Sequence, residues 1–333
     1  SWTNITNTTV NQTYLNLTTT RLYRALVRSG VCSNAYSSTA TVTVAPATIA
    51  GTVTPSATVC SGANSGTLTL AGHTGTVLNW QFSINGGGTW TNIVNATTTQ
   101  SYLNLTQTTL YRAVVQNGSC LPANSTAATV TVNNASVGGS VAGSSTVCAS
   151  GNAGTLTLSG QTGTIQSWEY SNDGGVTWTN IVNTTTSQAF SNLTDTTIYH
   201  ALVKSGVCPN DTSANAIITV DPVTAGGAVS SNTTACNGNN TGTLTLTGHT
   251  GSVLNWEVST DGGLTWLSII NTSTSQSYNN ITSSSFYRAQ VKSGVCTSQY
   301  SGPAIISLDP AAVGGTLYGS STVCSGSNSG ALT

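Results

Sequence analysis

A period of 88 residues constrains this chain more than any other feature of its sequence. The cysteines form two series with this spacing, Cys60, Cys148, Cys236 and Cys324 in one and Cys32, Cys120, Cys208 and Cys296 in the other. The seven tryptophans keep the same step. A fixed repeat indicates a tandem array. Because 88 residues is close to the size of one β-sandwich domain, each copy is predicted to bury its own core.

The period divides the 333 residues into five segments, called here the first to the fifth copy. The first copy, 1–46, corresponds to the C-terminal part of a domain, and the fifth, 311–333, to the N-terminal part. The second, third and fourth copies, 47–134, 135–222 and 223–310, are predicted to be complete. Because both ends fall in mid-domain, we expect a window of a longer polypeptide.

Short alternating runs inside each copy predict β-strands. In the second copy, alternation from Thr76 to Ile84 predicts Leu78, Trp80 and Phe82 inward, and the Gly-rich turn that follows is typical of a hairpin. About seven short strands without helical periodicity predict an all-β fold, a tandem array of immunoglobulin-like β-sandwich domains. The predicted core residues include Trp80, Trp168, Trp256 and Tyr111.

Each complete copy contains two cysteines, without CxxC or histidine at metal-ligand spacing, which favours one disulfide per domain in an oxidising compartment. Cys60 precedes the second predicted strand and Cys120 follows the sixth, and these points share one end of an up-and-down sandwich. This predicts the within-copy pairs Cys60–Cys120, Cys148–Cys208 and Cys236–Cys296. The alternative joins Cys32 to Cys60 across a copy boundary.

Charged residues are only 5% of the chain, against about 25% in ordinary globular proteins, and the net charge is −1. This composition provides no basic surface for nucleic acid. No apolar run reaches the roughly 18 residues of a membrane helix, so no membrane insertion is expected in this segment.

Several phrases of the second copy resemble a known repeat: Val59–Gly62, Gly66–Leu70, Gly72–Gly75, Gly87–Trp90 and Tyr111–Val115. They are similar to the immunoglobulin-like repeat of very large cell-surface proteins of Bacteroidota, a group that includes flavobacterial gliding-motility adhesins. The resemblance extends over the whole chain, copy by copy. It implies a secreted, surface-attached and non-enzymatic fibre or adhesin, exported by the type IX route.

No catalytic constellation, metal site or cofactor is predicted. His73 and His249 share one repeat position, but Gln161 occupies it in the third copy, and no carboxylate recurs beside them. Asp173 and Asp261 lie in the hairpin turn, and a single acid per domain is too few for a calcium site.

Two surface features are candidates for glycan chemistry. A regular series of tryptophans after the hairpin is a candidate glycan contact, although such residues commonly pack across a hairpin. Aligned Asn-x-Ser/Thr triplets are candidate glycosylation sites, as is an Asp-Thr-Thr triplet resembling the O-glycosylation signal of Bacteroidota. The residues are Trp90, Trp178 and Trp266 for glycan contact, and Asn104, Asn192, Asn280 and Thr196 for glycosylation.

These observations predict a segment of an extracellular, cell-surface structural or adhesive fibre. Its expected partners are the neighbouring copies in the same chain, together with surfaces, glycans or lateral copies of the fibre. Two alternatives stay open, a short subunit of a non-covalent extracellular filament and a glycan-binding module that uses the repeated tryptophans.

Overall fold

The structure is a computed structural model, which describes residues 1–230 and 232–333. It contains β-strands and no helix within these residues, and therefore no helix there that is long and apolar enough to cross a membrane. The first copy contains four short strands, and no strand lies within the fifth copy. The four are β1 (Arg21–Tyr23), β2 (Leu26–Val27), β3 (Ala35–Tyr36) and β4 (Ala40–Val42).

The second copy shows the domain architecture in full. Its strands are β5 (Thr52–Thr54), β6 (Ala57–Cys60), β7 (Ser65–Ala71), β8 (Thr76–Ser83), β9 (Thr91–Ile93), β10 (Thr99–Leu103), β11 (Thr109–Gln116), β12 (Ala123–Asn124) and β13 (Ala128–Asn133). One sheet has the order β10-β7-β5, and the other has the order β6-β13-β11-β8-β9 with β12 beside β11. This is an immunoglobulin-like sandwich, in which the first strand is divided between the two sheets.

The third and fourth copies repeat this strand sequence. The third contains β14 (Ser140–Ala142), β15 (Ser145–Cys148), β16 (Ala153–Ser159), β17 (Thr164–Ser171), β18 (Thr179–Ile181), β19 (Ser187–Ser191), β20 (Thr197–Lys204), β21 (Asp211–Thr212) and β22 (Ala216–Asp221). The fourth contains β23 (Ala228–Val229), β24 (Thr233–Cys236), β25 (Thr241–Thr247), β26 (Ser252–Ser259), β27 (Leu267–Ile269), β28 (Ser275–Asn279), β29 (Ser285–Lys292), β30 (Gln299–Tyr300) and β31 (Ala304–Asp309). The predicted tandem all-β fold is confirmed.

The backbone groups into two compact units that do not follow the copy boundaries. One unit contains Ser1–Gly138, Gly160–Gln166 and Leu202–Thr212. The other contains Gly139–Ser159, Ser167–Ala201 and Ser213–Thr333. Each unit therefore combines one complete copy with segments of the third.

The core of each complete copy is built around one tryptophan. Trp80, Trp168 and Trp256 are all 0% exposed, and the Trp80 indole N–H donates to the Thr97 carbonyl at 2.9 Å. Tyr111, 5% exposed, lies against the Tyr102 ring with centroids 6.4 Å apart, and burial raises the pKa of its phenol. The buried indole thus satisfies its one donor, as a buried tryptophan requires.

The prediction that Leu78 points inward is wrong. The pairing of β8 with β11 shifts between Val114 and Val115, so that Val115 lies opposite Val77 and Leu78 has no partner. This β-bulge reverses the alternation at one residue. Val77 is therefore buried at 7% exposure, while Leu78 is 45% exposed.

The within-copy disulfides Cys60–Cys120, Cys148–Cys208 and Cys236–Cys296 are also contradicted. The bonds are Cys60–Cys208 and Cys148–Cys296, each joining cysteines 148 residues apart in consecutive copies. The alternative Cys32–Cys60 is wrong as well, because Cys32 is free and Cys60 is bonded to Cys208.

The physical reason is the direction of β6. This strand pairs in parallel with β13, which places Cys60 opposite Asn133 at the end of the last strand. Cys120 precedes β12, at the beginning of that last strand. At about 3.3 Å per residue, the ten residues from Ala123 to Asn133 separate these ends by about 30 Å. A disulfide allows less than about 7 Å between Cα atoms, so the two cysteines of one copy cannot pair.

Candidate functional site: disulfide-linked junctions between copies

Two elements meet at each junction. One is the cysteine strand (β6, β15 or β24), which ends at Cys60, Cys148 or Cys236. The other is the cysteine turn, the four residues that follow the penultimate long strand and end at a cysteine. The cysteine turns are Ser29–Cys32, Asn117–Cys120, Ser205–Cys208 and Ser293–Cys296.

The cysteine strand is held in place by an asparagine. In the second copy the Asn64 amide donates to the carbonyl of Cys60 and to that of Leu105, both at 2.7 Å, and its oxygen accepts from the Leu105 N–H at 3.0 Å. Asn152 makes the same contacts around Cys148. Because each amide uses both its donor and its acceptor, the loop after the cysteine is fixed and the position of the sulfur is preset.

The cysteine turn brings a compact backbone to the end of the preceding copy. The Cys208 N–H donates to the Ser205 carbonyl at 2.9 Å, which closes the turn, and Gly206 has a φ of +52°. A Cβ at Gly206 would collide with the Asn133 side chain. Glycine is therefore required both by the backbone conformation and by the close approach of the two copies.

The cysteine that the turn contributes to each bond is almost fully buried. Cys208 is 1% exposed, and its sulfur lies 3.1 Å from the carbonyl oxygen of Asn134. Cys296 is 2% exposed, with its sulfur 3.3 Å from the carbonyl oxygen of Pro222. The Cα atoms of the two bonds are 4.8 and 4.9 Å apart, within the ordinary range. Both junctions therefore share one geometry.

A side chain at the end of the last strand also binds the turn. The Asn133 oxygen accepts from the Val207 N–H at 3.2 Å, and a carboxylate oxygen of Asp221 accepts from the Val295 N–H at 2.9 Å. The hydroxyl of Ser136 accepts from the N–H of Ser205, the first residue of the turn, at 2.9 Å. Backbone donors of the turn are thus satisfied on docking.

The family model of DUF8696, a domain of unknown function, matches residues 1–46, 49–134, 137–222 and 225–310. The chain belongs to the DUF8696 family. A search of curated proteins finds no match.

Among solved structures, the DUF8696 chain is similar to multidomain proteins of low sequence identity. The FN1–FN3 domains of chicken CNTN1 are 14% identical, with 76% of this chain and 96% of that chain covered and a TM-score of 0.28. Domains 3–5 of Drosophila OTK are 12% identical, covering 80% and 100%, with a TM-score of 0.29. Sidekick-1 immunoglobulin domains 1–5 are 12% identical, covering 87% and 66%, with a TM-score of 0.34. At TM-scores this low the similarities support no conclusion about function.

The tryptophans after the hairpin in the DUF8696 repeats stack on a cation or an imidazole. The guanidinium carbon of Arg112 lies 4.0 Å from the Trp90 ring centroid, and Arg288 lies 4.0 Å from that of Trp266. In the third copy the Trp178 and His200 rings are 3.8 Å apart. One face of each indole is therefore covered, which favours the packing interpretation over a sugar-stacking platform.

The partner of each tryptophan is held by the neighbouring strand. Arg112 donates to the Gln81 side-chain oxygen at 2.7 Å, and partial burial lowers the pKa of this guanidinium. His200 and a carboxylate oxygen of Glu169 are 2.7 Å apart. Arg288 is in addition held by Glu257. Each set is a closed cross-strand network.

All four candidate glycosylation residues lie at the surface, where their backbone or side chain also takes part in local hydrogen bonds. Asn104, Asn192 and Asn280 are exposed and adopt φ of 51–52°, and the Asn104 N–H donates to the Asn64 carbonyl at 2.7 Å. Their backbone role is a left-handed turn, which asparagine tolerates. Thr196 is exposed, and its hydroxyl accepts from the Val220 N–H at 3.1 Å.

The hairpin acids are used within their own loop. Ser171 and Thr177 donate to the Asp173 carboxylate, which holds the pKa of this group well below its usual range. Asp261 is bound in the same way by Thr265 and Ser259. Among the described residues no group of three or more histidine, cysteine, aspartate or glutamate residues could hold a metal ion.

Proposed function

We propose that this chain is a non-enzymatic segment of an extracellular structural or adhesive array, in which each copy is covalently tied to the next. The observation that carries this proposal is the pair of equivalent bonds Cys60–Cys208 and Cys148–Cys296. Disulfides persist in oxidising compartments, which supports a location outside the cytoplasm. The Bacteroidota cell surface is the location implied by the resemblance of the repeats.

The arrangement of the junctions supports a structural role rather than a catalytic one. The side chains of Asn64, Asn133 and Asp221 form hydrogen bonds that hold the cysteine strand and the cysteine turn in place. These hydrogen bonds hold the backbone geometry of each junction, which is the task of a structural group rather than of a catalytic one.

Non-reducing peptide mapping of the natural protein tests the proposal. We expect one disulfide-linked peptide pair containing Cys60 with Cys208 and a second containing Cys148 with Cys296. Antibody against the chain should label intact cells, whereas an antibody against a cytoplasmic protein, the matched control, should not. Reduced cysteines at these positions together with labelling only after permeabilisation would refute an extracellular array.

The mass of the native polypeptide distinguishes a segment of one long chain from the alternative of a short filament subunit. The native polypeptide should be much larger than 33.7 kDa after denaturation and reduction if the copies belong to one long chain. A species near 33.7 kDa would instead support a short subunit that assembles non-covalently.

A further inference from the structure

The free cysteines occupy the same two positions as the bonded ones. Cys32 and Cys120 belong to cysteine turns, whereas Cys236 and Cys324 belong to the series of the cysteine strand. Cys60 and Cys148, which are bonded, are half-buried, but Cys236 at the end of β24 is exposed. Cys236 therefore corresponds to the cysteine strand of a junction, but its thiol is not bonded to the cysteine of a turn.

The Cys236 half of the junction is fully formed. Strand β24 pairs in parallel with β31 and places Cys236 opposite Asp309, as β15 places Cys148 opposite Asp221. The Asn240 amide donates to the Cys236 carbonyl at 3.0 Å. The sulfur therefore has the same backbone support as the sulfurs that are bonded.

Asp309 corresponds to the residue that receives a cysteine turn. Asp221, one repeat earlier, is half-buried and accepts from the Val295 N–H at 2.9 Å. Asp309 is exposed. An exposed carboxylate beside an exposed thiol thus presents the two groups that bind a cysteine turn elsewhere in the molecule.

We infer that Cys236 and Asp309 form a docking surface for the cysteine turn of a further copy of this repeat, closed by a disulfide to the cysteine of that turn. This inference deepens the proposed array function and rests on it. A second molecule of this chain provides such a turn at Ser29–Cys32, where the Cys32 N–H donates to the Ser29 carbonyl at 3.0 Å, as in the bonded turns. Cys32 is exposed.

Closing the bond is an oxidation and requires a disulfide reagent as the oxidant. One thiolate attacks a low-molecular-weight disulfide such as oxidised glutathione and releases one reduced thiol. The second thiolate then attacks the mixed disulfide and releases the other. Two protein thiols thereby become one disulfide, and the oxidant becomes two thiols.

The test uses the full chain in a glutathione redox buffer, followed by peptide mapping of covalent dimers. We expect Cys236 to be joined to Cys32 of another molecule several-fold more often than to a second Cys236, because the turn of Cys120 is already bound to Pro46 of its own chain. Cys324 is the matched control, because it has the same repeat position and is exposed but lies outside any strand. Cross-links between Cys324 and a cysteine turn should be several-fold rarer than those of Cys236.

The variant Asp309→Ala tests the carboxylate. It should lower the yield of Cys236 cross-links several-fold, although Cys236 should react with iodoacetamide at least as fast as in the wild type, because a negative charge beside the thiolate has been removed. Statistical pairing of the four free thiols, or an Asp309→Ala yield equal to that of the wild type, would overturn the inference. Intact Cys60–Cys208 and Cys148–Cys296 bonds in the same samples would show that the proposed array is unaffected by such a failure.

Discussion

The overlap of the two disulfide loops predicts how far the chain can extend under force. Held at Ser1 and Thr333, the open chain contains 332 residue steps. With both bonds closed, the shortest covalent path has 59 steps to Cys60, 60 from Cys208 back to Cys148 and 37 from Cys296 to the end, which is 156 in all. At about 3.5 Å per residue, the disulfides therefore withhold about 620 Å of contour length.

The two disulfides do not limit the extension of the chain independently of each other. Removing one with Cys60→Ser/Cys208→Ser leaves a path of 184 steps through Cys148–Cys296, a gain of only 28 steps or about 100 Å. Removing the second adds 148 steps, about 520 Å. The first removal is small because the path through both bonds has to run back 60 steps from Cys208 to Cys148, so that the bond Cys60–Cys208 replaces 88 steps by 60.

Single-molecule force extension of the wild type, the double variant and the reduced protein measures these lengths. Cys236→Ser is the control, because a free cysteine should not alter the path. Within-copy pairing would instead release about 60 steps, or about 210 Å, for each bond removed. Equal increments of that size would refute the assignment of the junctions, as would an extension insensitive to reductant.

Three further predictions concern single residues. Trp178→Ala should lower the midpoint of urea unfolding because it removes the stack on His200, and loss of glycan binding by a variant of unchanged stability would instead favour a sugar site. Because the pKa of Asp173 is lowered in the folded state, its contribution to stability is complete above the unfolded pKa of about 3.9 and is lost as the pH falls towards the folded pKa. The midpoint temperature of unfolding of Asp173→Asn should therefore fall less in acid than that of the wild type. Identical dependence of the two midpoints on pH would contradict this. Gly206→Ala should destabilise the junction by about 1–3 kcal/mol through its positive φ and its collision with Asn133, and pairing it with Asn133→Ala should relieve only the collision; equal thermal unfolding of Gly206→Ala and the wild type would contradict the close approach.

Local sequence patterns determined much of the fold. The alternation around Trp80 and the glycine-rich turn are properties of neighbouring residues, and the period shows that the same local patterns recur every 88 residues; together they predicted the tandem sandwich. Alternation indicates which face a side chain occupies, since successive residues of a strand point to opposite sides. It failed at Leu78, where the bulge depends on the register with β11.

The disulfide partners were decided only by the tertiary structure. The short run Ala57–Cys60 gave no sign that it pairs in parallel with a strand more than 70 residues later, and this pairing determines the end of the sandwich at which Cys60 lies. The cysteine turn of the next copy then supplies Cys208, 148 residues away. Spacing along the chain identifies which residues recur, but their partners depend on contacts between segments that are distant in sequence.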